Sequence, residues 1–343
     1  RIEHEKNEQS YLNSKIKVGV IRGGITPEYY MSLAAGSYIL NHIPKDKYQP
    51  IDILITKDGT WHKQGVAMEP RDLKKHVDVV FNTLYGVYGE DGKLQDFLDE
   101  IGVPYVGSDP FSSSMTANKK KKKERLNDLG IKTPKYFILQ GLLKMEDEKE
   151  QLEFIRKKAM DIFRKIHPPW VVKPVLGSAS TFTYLVTTFT DLIYLLNDLA
   201  DKFDEIIVEE FIEGTEVVSG IFNGLRGEEE YVLPPFEIQK PGKILDYETR
   251  FNKKHALRML DKKLAEHKDS IADIMKTLHK EFNLSDYSTA NLILSPKGGI
   301  YVIEVDSQPI LGEGEILPSM MEEVGCPDHI WIDHLLQRRL KRQ

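Results

Sequence analysis

Short apolar segments alternate with helical patterns over the first hundred residues, and this alternation restricts the fold more than any other feature. Strands that alternate with helices favour a parallel sheet covered by helices. We therefore predict an α/β first domain over residues 16–115. Its predicted strands are residues 16–21, 51–55 and 77–81, and its predicted helices are residues 29–43 and 93–101.

After Pro134 the pattern changes, and we divide the remaining chain into residues 116–212 and 213–343. The first unit is predicted to contain strands at 137–139, 170–173, 182–186 and 206–212 and helices at 147–166 and 192–202. The second is predicted to contain a strand at 217–222, a Pro/Gly-rich segment at 234–254, a helix at 271–282, strands at 288–294 and 300–305, and a closing helix at 330–340. Residues 1–15 are polar, and we expect a frayed or disordered end there.

Composition restricts the partners of the chain. The net charge of −6 argues against a general nucleic-acid binder, which usually carries a basic face. No apolar run approaches the length of a membrane span, and the single cysteine, Cys326, cannot form an internal disulfide. We expect a cytoplasmic protein without nucleic-acid or membrane partners.

Five consecutive lysines occupy Lys119–Lys123 in a predicted helix. A charge run of this kind usually forms a solvated helix face. We expect at least four of the five to lie in solvent.

A predicted hairpin near the C-terminus carries three oxygen-bearing side chains. Glu304 and Asp306 are two residues apart on one strand and therefore project to the same face, and the other strand can bring Asn291 opposite them. Such a trio suits Mg²⁺ or Mn²⁺, completed by phosphate oxygens. The alternative is an ordinary solvated strand end.

Further positions have the chemistry of a phosphate or nucleotide site. Lys173 ends an apolar strand before the small-residue loop 177–180, whose backbone N–H groups can bind phosphate, although such loops are often simple turns. Glu209 and Glu216 can bind adenine or ribose, or be exposed acids. Glu28, at a helix start, can hold a substrate ammonium or merely complement the helix dipole.

Taken in order, these segments resemble the D-alanine–D-alanine ligase family of the ATP-grasp superfamily, from about Lys17 to the C-terminus. The resemblance implies a Rossmann-like N-terminal domain followed by an ATP-grasp fold of two α+β subdomains. It also implies an ATP-dependent carboxylate–amine ligase for peptidoglycan precursors, with a homodimer by analogy. The segments that carry it are Gly23-Gly24 with Glu28, Gly89–Gly92 with Gln95, Pro104–Ser108, Lys119, Lys173-Pro174, Gly177-Ser178, Glu209–Glu216, Asp246–Glu248 and Glu304.

The resemblance also implies roles for individual residues. The expected ATP contacts are Lys119, Lys173, Gly177, Ser178, Glu209, Phe211, Ile212 and Glu216. The expected ligands of magnesium or manganese are Asn291, Glu304 and Asp306. The expected catalytic residues are Glu28, Ser178, Tyr247 and Arg250, and the last two lie in what resembles the mobile ω-loop of the family.

Several positions depart from the family pattern, mostly on the acceptor side. Thr289 stands where the family has an arginine that stabilises the transferred phosphoryl group, and Glu315 where a serine binds the second substrate's carboxylate. A catalytically degenerate homologue that binds nucleotide in a regulatory or scaffold role is therefore the alternative hypothesis. The other departures are Tyr85 for a histidine, Phe251 for the lid tyrosine, Ile310 for a glycine in the oxyanion region, Ala179 for a serine, Thr181 for a glycine, and the exchange of Asp and Asn between positions 291 and 306.

Overall fold

The computed structural model of the chain describes residues 15–141, 147–177, 182–252, 254–260, 262 and 264–341. This part of the chain forms three β-sheets, and the first belongs to the N-terminal domain. Strand β1 lies between β2 and β5 and is parallel to both. The elements of this domain are β1 (Ile16–Gly23), α1 (Tyr29–His42), β2 (Tyr48–Ile55), β3 (Trp61–Lys63), β4 (Val66–Ala67), a 3₁₀ helix (Pro70–Lys75), β5 (Val79–Asn82), α2 (Lys93–Ile101) and α3 (Pro110–Ala117).

The parallel strands of this sheet confirm the predicted α/β domain, but one edge differs from the prediction. Strands β3 and β4 extend the sheet beside β2 in antiparallel fashion. Elements of three and two residues are too short to show an alternating pattern in the sequence. The sheet is therefore mixed and not purely parallel.

The second sheet is antiparallel, with the strand order β6-β9-β7-β8. Two helices cover one face, and their apolar residues pack on Trp170, Val172 and Val208. Because side chains alternate along a strand, Val171, Lys173 and Glu209 project from the other face. The elements are β6 (Tyr136–Gln140), α5 (Glu148–Lys165), β7 (Trp170–Pro174), β8 (Tyr184–Val186), α6 (Phe189–Ala200) and β9 (Glu205–Glu210), preceded by α4 (Lys119–Asp128).

The third sheet is also antiparallel, in the order β13-β12-β10-β14-β15, with β11 beside β10. Within the Pro/Gly-rich segment 234–254 the structure has one strand and one short helix, which the sequence pattern did not predict because Pro and Gly interrupt it. The elements are β10 (Thr215–Asn223), a 3₁₀ helix (Leu225–Gly227), β11 (Glu230–Val232), β12 (Phe236–Gln239), α7 (Tyr247–Phe251), β13 (Ala256–Met259), a 3₁₀ turn (Leu264–His267), α8 (Lys268–Glu281), β14 (Tyr287–Leu294), β15 (Ile300–Asp306), α9 (Ile316–Glu323) and α10 (Asp328–Leu340).

The N-terminal domain and the C-terminal sheet share one hydrophobic core. Side chains from β1, α1 and β5 pack with Phe222, Trp331 and other residues of the C-terminal part. Polar contacts reinforce the junction, because the backbone N–H of Gly107 donates to Asp286 (2.9 Å). In the described residues, no helix combines the length and the apolar character that a bilayer crossing requires.

Replacement of Trp331 by alanine should therefore destabilise both parts together. Trp331 is fully buried against the Phe222 ring, and such truncations cost about 3–5 kcal/mol. We expect a single urea transition, shifted to lower denaturant. The adjacent Ile330→Ala variant is the matched control, because Ile330 is 47% exposed and should change stability little. Two separate transitions, only one of them shifted, would contradict a shared core.

Candidate active site

Helix α4 presents three of the five lysines to the interior. The Asn118 side chain caps the helix by accepting from the Lys121 backbone N–H (3.0 Å). Lys119, Lys122 and Lys123 are buried, and only Lys121 of the run is fully exposed. The predicted solvated face for at least four lysines is therefore wrong. Positions i, i+3 and i+4 of a helix share one face, and here that face points into the cleft between the second and third sheets.

Glu209 forms an ion pair with two buried lysines at the floor of this cleft. Its two carboxylate oxygens lie 2.8 Å from the ammonium groups of Lys123 and Lys173. Burial opposes the charge of Glu209, but the two lysines outweigh it and lower its pKa to about 2. Burial lowers the pKa of Lys123 to about 8 despite the pairing. The group is therefore charged at neutral pH and lies where a polyanion can approach.

Lys119 lies at the first position of α4 and points to the loop after β7. Its ammonium donates to the Gly177 carbonyl (2.6 Å). Burial lowers its pKa to about 8, against the attraction of Glu304. Gly177 has φ +134°, a conformation that favours glycine. The backbone at Gly177 thus lies next to a cation.

The strands β14 and β15 bring together the three predicted metal ligands. Asn291 is paired with Glu304 in the antiparallel ladder, and Asp306 lies two pairs further along, opposite Thr289. The Asn291 amide nitrogen donates to Glu216 (3.1 Å), which leaves the amide oxygen as its possible ligand atom. The predicted juxtaposition is confirmed, and all three side chains line the same cavity as Lys119 and Lys173.

The charges of this hairpin are suited to one hard cation. Burial opposes ionisation of Glu304, but the attraction of Lys122, Lys119 and Lys173 lowers its pKa to about 2. Burial and the neighbouring Glu304 charge raise the pKa of Asp306 to about 6. Among the described residues, no group of three His, Cys, Asp or Glu side chains has the arrangement of a metal site. Two carboxylates and an amide therefore fit Mg²⁺ or Mn²⁺ only if phosphate oxygens complete the coordination.

Glu216 and Phe211, which the resemblance assigns to the nucleotide, line the same cavity. Glu216 accepts from Lys240, and the Lys243 ammonium lies 6.0 Å from the centre of the Phe211 ring. Apolar and acidic side chains both contribute to the lining. The lining includes Val171, Lys173, Glu209, Glu210, Phe211, Ile212, Glu216, Val218, Leu245, Ile293 and Ile316.

Arg250 approaches the hairpin from helix α7. Asp246 caps this helix by accepting from the Thr249 backbone N–H (2.8 Å). Arg250 lines the cavity with Thr289, and its Nε lies 3.6 Å from a Glu315 carboxylate oxygen. Glu315 is therefore partnered by a guanidinium. Tyr247 and Phe251 belong to the same helix by their backbone, while the predicted roles of their side chains lie outside what the structure describes.

Glu28 is buried at the start of α1 but does not line the cavity that contains Lys119 and Lys173. It lies against the backbone of Gly86, whose φ is +75° and where an added Cβ would stand 2.6 Å from the carboxylate. Next to it, the Tyr85 hydroxyl accepts from the Leu311 backbone N–H (2.9 Å). The departure at Tyr85 thus connects the N-terminal domain to the segment that carries Ile310.

Ser178, Ala179 and Thr181, which the sequence analysis named, lie outside the described residues. Lys122 and Lys123 were not predicted as residues of the site. Their spacing from Lys119 was a usable signal, because it indicates that the three lysines share one helix face. Nothing in the sequence indicated Lys240, because it contacts Glu216 only when β12 pairs with β10.

Comparisons with known proteins agree with this geometry. The family described as D-ala D-ala ligase C-terminus matches residues 126–337, and D-ala D-ala ligase N-terminus matches residues 62–108. The fold and the cleft define an ATP-grasp ligase. More particularly, the chain belongs to the D-alanine–D-alanine ligase family, and the family, fold class and enzyme class predicted from the sequence are confirmed.

Individual relatives are similar over nearly the whole chain. D-alanine–D-alanine ligase B of Clostridium perfringens is 28% identical over 331 residues, which is 96% of this chain and 99% of the relative. The crystal structure of D-alanine–D-alanine ligase from Bacillus anthracis complexed with ATP is 26% identical, with a TM-score of 0.75 over 95% of this chain and 98% of that one. The VanG D-Ala:D-Ser ligase from Enterococcus faecalis is 25% identical, with a TM-score of 0.74 over 94% and 99% of the two chains.

The Glu209→Gln variant tests whether Glu209 holds the cleft floor together. The substitution leaves two buried ammonium groups without a carboxylate, which typically costs about 3–5 kcal/mol. We expect a lower urea midpoint at pH 7. Glu213→Gln, at an exposed position of the same segment, is the matched control. Equal stability of the two variants would show that the ion pairs contribute nothing.

Proposed function

We propose that this protein is an active ligase that uses ATP to join the carboxylate of D-alanine to the amine of a second amino acid. The observation that carries the proposal is the shared cleft, in which the ammonium groups of Lys119 and Lys173 lie with the carboxylates of Glu304 and Asp306. A cluster of fixed cations opposite two carboxylates suits a triphosphate with its divalent ion.

The nucleotide is assigned to the side of the cleft nearest the second sheet. Lys119 and Lys173 are assigned to phosphate oxygens, and the resemblance adds Gly177 and Ser178 to this set. The base lies against Phe211 and Ile212, and Glu216 binds ribose. Glu209 is assigned to adenine by resemblance, and its ion pairs support an additional role in positioning Lys123 and Lys173.

Asn291, Glu304 and Asp306 would hold the Mg²⁺ or Mn²⁺, which supplies charge neutralisation for the phosphoryl group. In the reaction, a carboxylate oxygen of the first substrate attacks the γ-phosphorus, and the bond to ADP breaks. The amine of the second substrate then attacks the carbonyl carbon of the acyl phosphate, loses a proton, and expels inorganic phosphate. Glu28 is assigned to the ammonium of the first substrate, and Tyr247 to the closing lid.

Arg250 is assigned to the charge that the family arginine would supply at position 289. Its guanidinium contributes to lowering the pKa of Glu304, after burial and the larger contributions of three nearby lysines, and this supports a role close to the transferred group. Loss of a preorganised donor of this kind typically costs 10²–10³ in rate. Its pairing with Glu315 also offsets the carboxylate that would otherwise repel an acceptor's carboxylate.

The small-molecule substrates of the family relatives support the same class of substrate here. D-alanine as the specific donor, a cytoplasmic location and a homodimer are parts of the proposal that follow from family resemblance.

Release of phosphate from ATP tests the proposed function. With Mg²⁺ and D-alanine the wild type should release phosphate in proportion to dipeptide formed, and Lys173→Met should abolish it. Arg250→Ala should reduce kcat by about 10²–10³. A panel of amino and hydroxy acids as acceptors, D-serine included, identifies the second substrate. Nucleotide binding in a thermal-shift assay, with no turnover across the panel, would support the degenerate homologue instead.

The pKa of Lys119 predicts how ATP affinity depends on pH. Bound phosphates stabilise its ammonium and raise its pKa above the value of about 8 in the free protein, so ATP binding takes up a proton at higher pH. Affinity should be strongest below pH 8 and fall by roughly tenfold between pH 7.5 and 9.5. The charges that face this ammonium are Glu304, Lys173, Lys122 and Glu209.

The Lys119→Arg variant is the control for this dependence, because arginine remains charged throughout the range. Its ATP affinity, measured by calorimetry, should change less with pH than that of the wild type. Parallel curves for the two proteins would assign the pH dependence to another group.

A further inference from the structure

Lys122 is a buried cation next to the proposed metal ligands, and the functions assigned above do not use it. Its side chain is 3% exposed. The ammonium lies 3.6 Å from the Oε1 atom of Glu304 and donates to the backbone carbonyl of Val305 (3.1 Å). Val305 lies between Glu304 and Asp306 in the sequence, so its carbonyl fixes the Lys122 ammonium beside the two carboxylates.

The three buried lysines of α4 have different partners. Lys119 contacts the phosphate-loop carbonyl and Lys123 pairs with Glu209 on the second sheet. Lys122 alone of the three pairs with Glu304 on the third sheet. It also contributes the largest attraction that lowers the pKa of Glu304 against the opposing effect of burial. Its position is therefore that of a neutralising charge for the hairpin.

We propose that Lys122 acts as a built-in counter-charge of this site, so that the site binds one divalent ion per nucleotide and not two. The inference rests on the proposed function, because the ion enters with ATP. Two-ion sites require carboxylates that bridge ions about 3.5–4 Å apart. Here one side of Glu304 already faces an ammonium, and Asp306 is the only other carboxylate of the trio.

A second ion beside Glu304 would experience direct repulsion from Lys122. Like charges a few ångströms apart in a partly buried site interact strongly, because little solvent screens them. The ammonium neutralises one of the two carboxylate charges, so the hairpin retains a net charge suited to a single ion. Lys122 is in this sense a positioning residue that sets metal stoichiometry, with no contact to the reacting atoms required.

Manganese binding in the presence of a non-hydrolysable ATP analogue tests the inference. Electron paramagnetic resonance of the wild type should show one Mn²⁺ per protein-bound nucleotide, with the spectrum of an isolated ion. Lys122→Met should bind a second Mn²⁺ that is magnetically coupled to the first. The Mn²⁺ concentration at which this second site is half-saturated should be at least about tenfold lower in Lys122→Met than in the wild type. Lys122→Arg, which keeps the charge, should behave as the wild type.

Lys121→Met is the matched control, because Lys121 is exposed on the same helix. Two coupled Mn²⁺ ions in the wild type would overturn the inference without any variant. Equal stoichiometry and affinity in Lys122→Met and Lys121→Met, with both folded by circular dichroism, would overturn it as well. Failure of the analogue to bind to any of the proteins would instead refute the proposed function, and the metal inference with it.

Discussion

The active-site cleft depends on the buried ion pairs of Glu209 with Lys123 and Lys173. Both carboxylate oxygens are occupied at 2.8 Å, and Glu209 is 1% exposed. Two ammonium groups could not be kept this close in the interior without an opposing charge, since burial of an unpaired charge is costly. Glu209 therefore allows Lys123 and Lys173 to remain charged and close together in the interior, where a polyanionic substrate would bind. The remaining excess of positive charge is what a triphosphate would neutralise.

Helix α4 determines the distance between the two halves of the cleft. Its apolar side packs in the core of the third sheet through Leu126, together with Val217 and Ala290. Its charged side reaches the second sheet through Lys123 and the hairpin through Lys122. One short helix thus connects the second sheet to the third, which is why a run of lysines that resembles a solvated surface is mostly interior.

The departures from the family pattern form contacts of their own. Tyr85 binds the backbone of Leu311, and Glu315 faces Arg250 across 3.6 Å. These two altered side chains thus each contact a partner from another part of the chain. Lys119, Lys173 and Glu304, which match the family pattern, line one cavity together.

The sequence alone determined the α/β first domain, the C-terminal hairpin and the convergence of Asn291, Glu304 and Asp306. These follow from local periodicity, because residues two apart on a strand share a face and a short turn forces antiparallel pairing. Only the tertiary structure decided that Lys122 and Lys123 are buried and that Arg250 meets Glu315. Whether a lysine lies in solvent or in an ion pair depends on a carboxylate many residues away, and no local pattern carries that information. The same reason explains why the edge strands β3 and β4 and the elements within residues 234–254 appeared only in the fold.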